Sequence, residues 1–571
     1  MKLGFHLNAD NCIGCHSCEA ACSEKNNLPA HIAWRKVGIL EGGTYPDYRR
    51  VNISMACNHC DNPVCLQGCP TRAYTKHADT GAVIQDSDTC FGCRYCTWVC
   101  PYNAPAYNPD TGSVSKCNMC VDRLAVGKKP ACVDACLGFA LDFGEVDRMA
   151  ETHRRTDRTI PGFPDTAITT PNIRFQQERS LPGAMMRVDQ TESRRLYPPV
   201  SLAPGGGEGQ VCPERSRRGE GDRRNGAPKS RITLSTLRSD EDSLVIFTLL
   251  TQMVVGGVTL FTGGLGFSLL NPSAKSAGVW RTLLFEFPGQ AAMTLALVLM
   301  ALGLGLSTAH LGKPWRCYRA LNNLRHSWVS REILFLGMTF GALAVFTGSL
   351  LYPWAGSGTL AVLGGAAAVS GWLGIWAMIR IYRIPARPYW NHPHTAAAFT
   401  ASGLILGPLF LGGVLFAGKA FAGGTVDMLF PVLTPMVWVA LAGFLLQAGA
   451  AILHWRDLGT GSEEGRFSRR LLLEDYRYIF RLRWVLSALS VLCMIVLLGM
   501  EGSPVAQVLL WWGGFLSALG GEVIGRALFY KAVVPMTMPG AFFRENRAFE
   551  AYARETGLAR DPHVGVVMEH H

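Results

Sequence analysis

The sequence predicts two unlike halves: a small cysteine-rich α+β domain, followed by an all-α membrane bundle of eight transmembrane helices. Three observations carry that expectation. Sixteen of the nineteen cysteines fall between Cys12 and Cys136, in four groups of four. From Leu244 onward long apolar runs dominate the chain. Lys and Arg crowd into alternate spacers between those runs, which is how a membrane protein distributes charge. At 571 residues the chain is also too long for one domain.

The cysteine groups come first. They read Cys12-x2-Cys15-x2-Cys18-x3-Cys22, Cys57-x2-Cys60-x4-Cys65-x3-Cys69, Cys90-x2-Cys93-x2-Cys96-x3-Cys100 and Cys117-x2-Cys120-x11-Cys132-x3-Cys136. A cubane iron–sulfur cluster needs four thiolates, and a tight loop with a cysteine every third residue wraps three around one face. The fourth cysteine, three residues on, points to a neighbouring cluster, as in two-cluster bacterial ferredoxins. Four groups therefore predict a bis-ferredoxin-like domain with four [4Fe-4S] clusters, an electron wire. A disulfide scaffold is the first competing reading, but the N-terminus carries no apolar signal region and no twin arginine to direct it to an oxidising compartment. Zinc is the second. Zinc sites take two close pairs, whereas runs of four cysteines within eleven residues occur here twice.

The domain is expected over 1–200. Its cluster part ends near 145, with small strands such as Ala82-Val83-Ile84 between cluster loops, and a polar arm over 146–200 lies on its surface. Residues 201–243 form a linker, low-complexity Gly/Arg/Pro from Pro204 to Arg231, where Cys212 has no nearby cysteine and no assigned role. The anchor is expected over 244–535 and a cytoplasmic tail over 536–571. The spans fall near 244–270, 289–310, 333–355, 359–379, 395–418, 428–454, 484–500 and 505–525, each able or nearly able to cross about 30 Å of hydrocarbon. Spacers and tail at 313–331, 380–393, 456–483 and 526–571 hold 21 Lys/Arg residues, against Lys275, Arg281 and Lys419 on the other side. The positive-inside rule puts the basic side, the N-terminus and the cluster domain in the cytoplasm. The alternative is export of the folded domain by a partner bearing the signal. The net charge of +11 flanks apolar segments, so no nucleic acid partner is expected.

The four-group pattern resembles the electron-transfer subunit of dimethyl sulfoxide reductase and its relatives among the complex iron–sulfur molybdoenzymes. His310-Leu-Gly-Lys-Pro-Trp-Arg316, Arg319-Ala-Leu-Asn322, Ser327-Trp-Val-Ser-Arg-Glu332 and Gly521-Glu-Val-Ile-Gly-Arg526-Ala-Leu-Phe-Tyr530 resemble that enzyme's membrane anchor subunit. Two usually separate subunits thus look fused. The resemblance implies that the first group pairs with the fourth and the second with the third. Cys12, Cys15, Cys18 and Cys136 would hold one cluster, and Cys22, Cys117, Cys120 and Cys132 another. Cys57, Cys60, Cys65 and Cys100 would hold a third, with Cys69, Cys90, Cys93 and Cys96 holding the fourth. Respiratory nitrate reductases replace one third-group cysteine by Trp and carry a [3Fe-4S] centre. This chain keeps Cys90, Cys93, Cys96 and Cys100, so four cubanes are implied.

Quinol oxidation releases two protons and two electrons, so its site needs proton acceptors within tunnelling reach of a cluster. His310 ends the second span and Glu332 opens the third, and a histidine titrates near neutrality. In the resembled anchor the matching histidine and glutamate are implicated in menaquinol binding. The plainer readings are a dipole-complementing acid just after Ser330 and an interfacial histidine bonded to a carbonyl. Glu522 and Arg526, four apart, read as a structural ion pair. His310 and His454 both lie near span ends, but such a pair is weak as haem ligation, and no haem is expected. Cys317 and Cys493 read as small apolar residues. The basic loop from Lys313 to Arg331 reads mainly as a topology signal, with docking of the cluster domain or anionic lipid as alternatives.

No molybdenum-binding signature is legible, so catalysis on the terminal substrate belongs to a partner. The expected function is transfer of electrons from membrane quinol to a molybdopterin-containing catalytic subunit. The alternatives are the same wire reversed as a quinone-reducing dehydrogenase subunit, and a redox-driven ion pump or sensor.

Overall fold

The computed structural model describes residues 2–42, 49–152, 156–160, 163–177, 185–187, 241–273, 275–352, 354–421, 429–500 and 504–536. The expected linker from 204 to 231, with Cys212, and nearly all of the expected tail lie outside them.

The N-terminal domain contains eleven strands and six short helices among the described residues. In chain order they are β1 (Leu3–Asn8), α1 (Ser17–Lys25), β2 (Lys36–Gly42), β3 (Arg49–Met55), α2 (Val64–Gly68), β4 (Tyr74–Lys76), β5 (Val83–Gln85) and α3 (Tyr95–Val99). They continue as β6 (Ala106–Asn108), β7 (Ser113–Ser115), α4 (Val121–Leu124), α5 (Ala131–Asp134), β8 (Leu141–Glu145), α6 (Val146–Thr152), β9 (Thr156–Asp157), β10 (Ile173–Gln176) and β11 (Met185–Arg187). One sheet has the order β8-β1-β10-β9, with Phe5 opposite Phe143 on one side and Ile173 on the other. Phe5, Leu7, Phe143, Ile173 and Phe175 are all buried there. The polar stretch after 146 is therefore more than a surface arm. Its apolar Ile173 and Phe175 insert β10 parallel to β1, because the sheet needs a second apolar neighbour.

The first Cys-x2-Cys of each group shares one backbone. The residue before its second cysteine has positive φ in all four: Gly14 at 70°, His59 at 44°, Gly92 at 79° and Met119 at 62°. A left-handed residue there curls the chain so that successive N–H groups and thiols face the same side, the arrangement of an anion-binding nest. His59 and Met119 adopt it at the steric cost a non-glycine residue carries.

The membrane half consists of α7 (Asp242–Leu270), α8 (Lys275–Phe285), α9 (Phe287–Ala309), α10 (Trp328–Leu351), α11 (Ser357–Tyr382), α12 (Pro393–Phe421), α13 (Phe430–Thr460), α14 (Glu463–Leu473), α15 (Arg477–Gly499) and α16 (Pro504–Lys531). Eight of these are long and apolar enough to span a membrane, all except α8 and α14. Several run further at their basic ends than hydropathy implied: α10 starts at 328 rather than 333, α15 at 477 rather than 484, and α13 ends at 460 rather than 454. The added turns carry charged residues, Arg331 and Glu332 in α10, Arg477, Arg481 and Arg483 in α15 and Arg456 and Asp457 in α13, so hydropathy gives no signal there. Helices α7 and α12 form the centre, 78% and 83% buried against 28% for α9 and α15. They approach through Gly256, Gly403 and Gly407, where an added Cβ would strike the facing backbone.

Candidate functional site

The cysteines gather into four sets. Cys12, Cys15, Cys18 and Cys136 line a cavity of about 350 Å³, and Cys57, Cys60, Cys65 and Cys100 line one of about 360 Å³. The charges of Cys132 and Cys120 reach Cys22, and those of Cys22 and Cys132 reach Cys117. Cys69, Cys90 and Cys93 all act on Cys96. Cys57, from another set, also acts on Cys117, so the Cys22 and Cys57 sets lie next to each other.

The donor chemistry suits a polynuclear cationic core. Burial pushes the Cys22 thiol up to about 11, with Arg35 opposing and Cys132 and Cys120 adding to the rise. Cys100 is likewise pushed up to about 11, chiefly by burial. Crowded thiols in dry sites ionise only when cations compensate them, and iron supplies that compensation. Backbone amides already point at sulfur: Ala73 N–H to Cys69 at 3.3 Å, Met119 N–H to Cys117 at 3.4 Å and Leu141 N–H to Cys136 at 3.3 Å. Among the described residues, no three His, Cys, Asp or Glu side chains converge as ligands of one metal ion.

The iron–sulfur domain is seated on the membrane bundle through the loop between α9 and α10. The Lys313 N–H donates to the Phe91 carbonyl at 3.0 Å and its Nζ to the Ser87 carbonyl at 2.9 Å. Arg316 and Arg319 both donate to the Asp88 carbonyl. Asn323 Nδ2 reaches the carbonyls of Gln67 at 3.1 Å and Cys69 at 2.9 Å, and Ser327 Oγ reaches that of Gly68 at 2.9 Å. Gly92, Gly112 and Gly312 meet backbone to backbone, leaving no room for a Cβ on Gly312. Much of this loop's charge therefore docks the domain, which corrects the reading of it as chiefly a topology signal. Trp98 completes the seat, 5.9 Å from Tyr382 and 5.5 Å from Trp390 between ring centroids.

His310 and Glu332 flank that seat. His310 caps α9, and its Nδ1–H donates to the Ser307 carbonyl at 3.1 Å, leaving Nε2 as an acceptor. The plainer reading of an interfacial histidine on a carbonyl thus describes one nitrogen and frees the other. Burial pushes its pKa below 6.5, with Ser307 opposing and Arg94 adding to the fall. Glu332 lies past the first turn of α10, whose cap is Ser327 rather than Ser330. It does not serve as a dipole-complementing acid in the first turn. It is half-buried and makes no hydrogen bond or ion pair among the described residues. Tyr95, Tyr382 and Tyr530 lie within its electrostatic reach, and the last two hydroxyls meet at 2.6 Å. Arg94 and Tyr95 belong to the loop between Cys93 and Cys96, so the fourth cysteine set faces both groups. Sequence reading missed these two residues. Their position between two cysteines was the available signal.

Elsewhere in the bundle the Glu522–Arg526 pair is not a direct ion pair. The Ser402 hydroxyl stands between them, donating to Glu522 at 2.6 Å and accepting from Arg526 at 3.1 Å. Gln447 also donates to Glu522 at 2.6 Å, and Arg526 donates to Gln252 at 2.9 Å. His454 sits apart from His310, its ring 4.5 Å from His392 and 4.7 Å from His394. Cys317 is exposed rather than packed as an apolar residue, whereas Cys493 is partly buried.

Residues 238–531 match the DMSO reductase anchor subunit (DmsC) family, and residues 50–146 match a 4Fe-4S dicluster domain. The N-terminal half is 39% identical over 180 residues to a chain of the anaerobic dimethyl sulfoxide reductase of Escherichia coli, covering 30% of this protein and 87% of that relative. Its counterpart in the anaerobic dimethyl sulfoxide reductase of Haemophilus influenzae is 40% identical over 181 residues, with the same coverage. A sulfite dehydrogenase subunit of Allochromatium vinosum is 34% identical over 166 residues, covering 25% of this protein and 69% of the relative.

Proposed function

Because this protein belongs to the DMSO reductase anchor subunit family, fused to an iron–sulfur electron-transfer subunit of the dimethyl sulfoxide reductase kind, we propose that it carries electrons from membrane quinol to a separate molybdopterin-containing catalytic subunit. One observation carries the reading: the loop that follows His310 is bonded to the Cys90–Cys93 loop, Lys313 N–H to the Phe91 carbonyl at 3.0 Å with Gly312 against Gly92, which brings a cysteine set beside His310. Quinol chemistry needs proton acceptors beside an electron acceptor, and this is where the chain offers both.

In the proposed reaction His310 Nε2 accepts one quinol proton, its ring fixed by the Ser307 carbonyl. Glu332 accepts the other, with Tyr382 and Tyr530 as neighbouring hydroxyls. The two electrons leave singly toward Cys93 and Cys96. When bound, four [4Fe-4S] clusters supply one-electron relay sites, held by the four cysteine sets described above. The relatives matched over 87% of their length are parts of reductases, which supports quinol oxidation over the reverse current. The basic loops and the iron–sulfur domain share one end of the bundle, supporting a cytoplasmic location for that domain.

Purification of the tagged protein in mild detergent tests the assignment. The expected result is iron and acid-labile sulfide sufficient for four cubanes, together with a molybdenum-containing large subunit. Zinc in place of iron, or no large subunit, would contradict it. Protease access to the linker in inside-out but not right-side-out vesicles tests the side.

A further inference from the structure

One buried side chain stands at each junction between neighbouring cysteine sets. Arg35 is 2% exposed, and its Nη1 donates to the carbonyl and hydroxyl of Ser54 at 3.3 and 3.1 Å. That hydroxyl lies 3.2 Å from Cys18 Sγ. Cys132, Cys18, Cys117 and Cys22 all act on Arg35, so it faces the Cys12 and Cys22 sets together. Lys116 is 3% exposed, lines the cavity of the Cys57 set, and donates to the carbonyls of Val83 and Cys117. Cys57, Cys65 and Cys117 surround it, so it joins that set to the Cys22 set. Between the Cys57 and Cys69 sets stands neutral Tyr74, its ring centroid 6.0 Å from Lys116 Nζ and its neighbours Cys96, Cys65 and Cys69.

These contacts order the path: the Cys12 set, Arg35, the Cys22 set, Lys116, the Cys57 set, Tyr74, the Cys69 set, then Tyr95 and Glu332. Neither Arg35 nor Lys116 meets a carboxylate within ion-pair distance among the described residues, so negative charge on the sulfur sites is what compensates them.

We propose that Arg35 and Lys116 are positioning residues that raise the reduction potentials of the sites they touch: Arg35 those of the Cys12 and Cys22 sets, Lys116 those of the Cys22 and Cys57 sets. Their fixed charges favour the added electron there. Each transfer adds one electron to a site and forms no bond, and neither side chain gains or loses a proton. This inference rests on the four-cluster reading.

An EPR-monitored redox titration of the purified full-length chain tests it, with iron and sulfide measured on every variant. Lys116→Gln should lower the midpoints of the second and third sites by at least 59 mV, a tenfold change in the reduced-to-oxidised ratio of a one-electron couple. Arg35→Gln should do the same to the first and second. Lys116→Arg and Arg35→Lys should keep the wild-type midpoints. If a Gln variant loses iron, the Met variant, which fills the same space without charge, is titrated instead. Unchanged midpoints in iron-replete neutral variants would overturn the inference, as would equal shifts in the charge-keeping ones. A wild-type chain lacking four clusters would instead overturn the reading beneath it, and this inference with it.

Discussion

Replacing Asn323 with Ala should undock the iron–sulfur domain from the bundle. Asn323 is 4% exposed, and its side-chain amide donates to two carbonyls across the joint, at 3.1 Å to Gln67 and 2.9 Å to Cys69. Alanine removes both bonds and leaves the Cys69 carbonyl only the long bond from the Arg72 N–H at 3.5 Å. A typical intramolecular bond contributes about 0.5–1.5 kcal/mol, so losing two costs about 1–3 kcal/mol. At 1.4 kcal/mol per decade, that raises the undocked fraction roughly 5- to 140-fold. The linker would hide the effect by holding the domain nearby, so it is cut first, with trypsin at its arginines. Membranes are then sedimented through a urea series, and iron in the supernatant reports released domain. Wild-type iron should stay with the membranes at urea concentrations where Asn323→Ala iron is released. Equal retention across the series would refute the assignment of this loop as the joint.

Other consequences are testable in the same preparation. Gly312→Val should release the domain in that assay while the bundle stays folded, since the new side chain meets the Gly112 backbone; domain retained on the membrane would contradict the backbone contact. His310 is held below its ordinary pKa of 6.5, chiefly by burial, so its neutral, proton-accepting form persists as pH falls through that value. Quinol-driven reduction of the clusters should therefore hold steady to pH 6.5 and decline only in more acid solution, and an inflection at or above 6.5 would refute the role. Glu522→Leu removes the acceptor of the buried Ser402 and Gln447 donors and should cost about 1–3 kcal/mol for each donor left unpaired. Thermal unfolding in detergent measures that loss, and an unchanged midpoint would show that the network is idle.

The four cysteine groups and the eight spans were legible because each follows from local arithmetic, whereas the pairing of the groups came only from the family resemblance. Thiol spacing fixes which loops curl, and apolar length fixes which helices cross. What the pattern did not show depends on contacts between distant segments. Ile173 and Phe175 complete the β1 sheet from the far end of the domain, and nothing in the polar stretch around them announces a partner 168 residues away. The Lys313–Arg331 loop looked like a topology signal because its acceptors are backbone carbonyls, which no side-chain pattern reveals. Glu522 and Arg526 stand at ion-pair spacing, yet Ser402 from another helix separates them. His310 and Glu332 were identifiable as candidates, but their common neighbour came from the other half of the chain. Only the docked arrangement places Arg94 and Tyr95 beside them.

Electrons are proposed to enter this chain from quinol between His310 and Glu332 and to leave toward Cys93 and Cys96. Stopped-flow mixing of the anaerobic, oxidised protein with a reduced menaquinol analogue measures this directly, following the visible iron–sulfur absorbance. The wild type should bleach within the mixing series. Glu332→Gln and His310→Gln should slow the bleaching by about 10²–10⁴-fold, as loss of a proton acceptor does, while dithionite still reduces every cluster. Wild-type rates in the double variant would contradict the account.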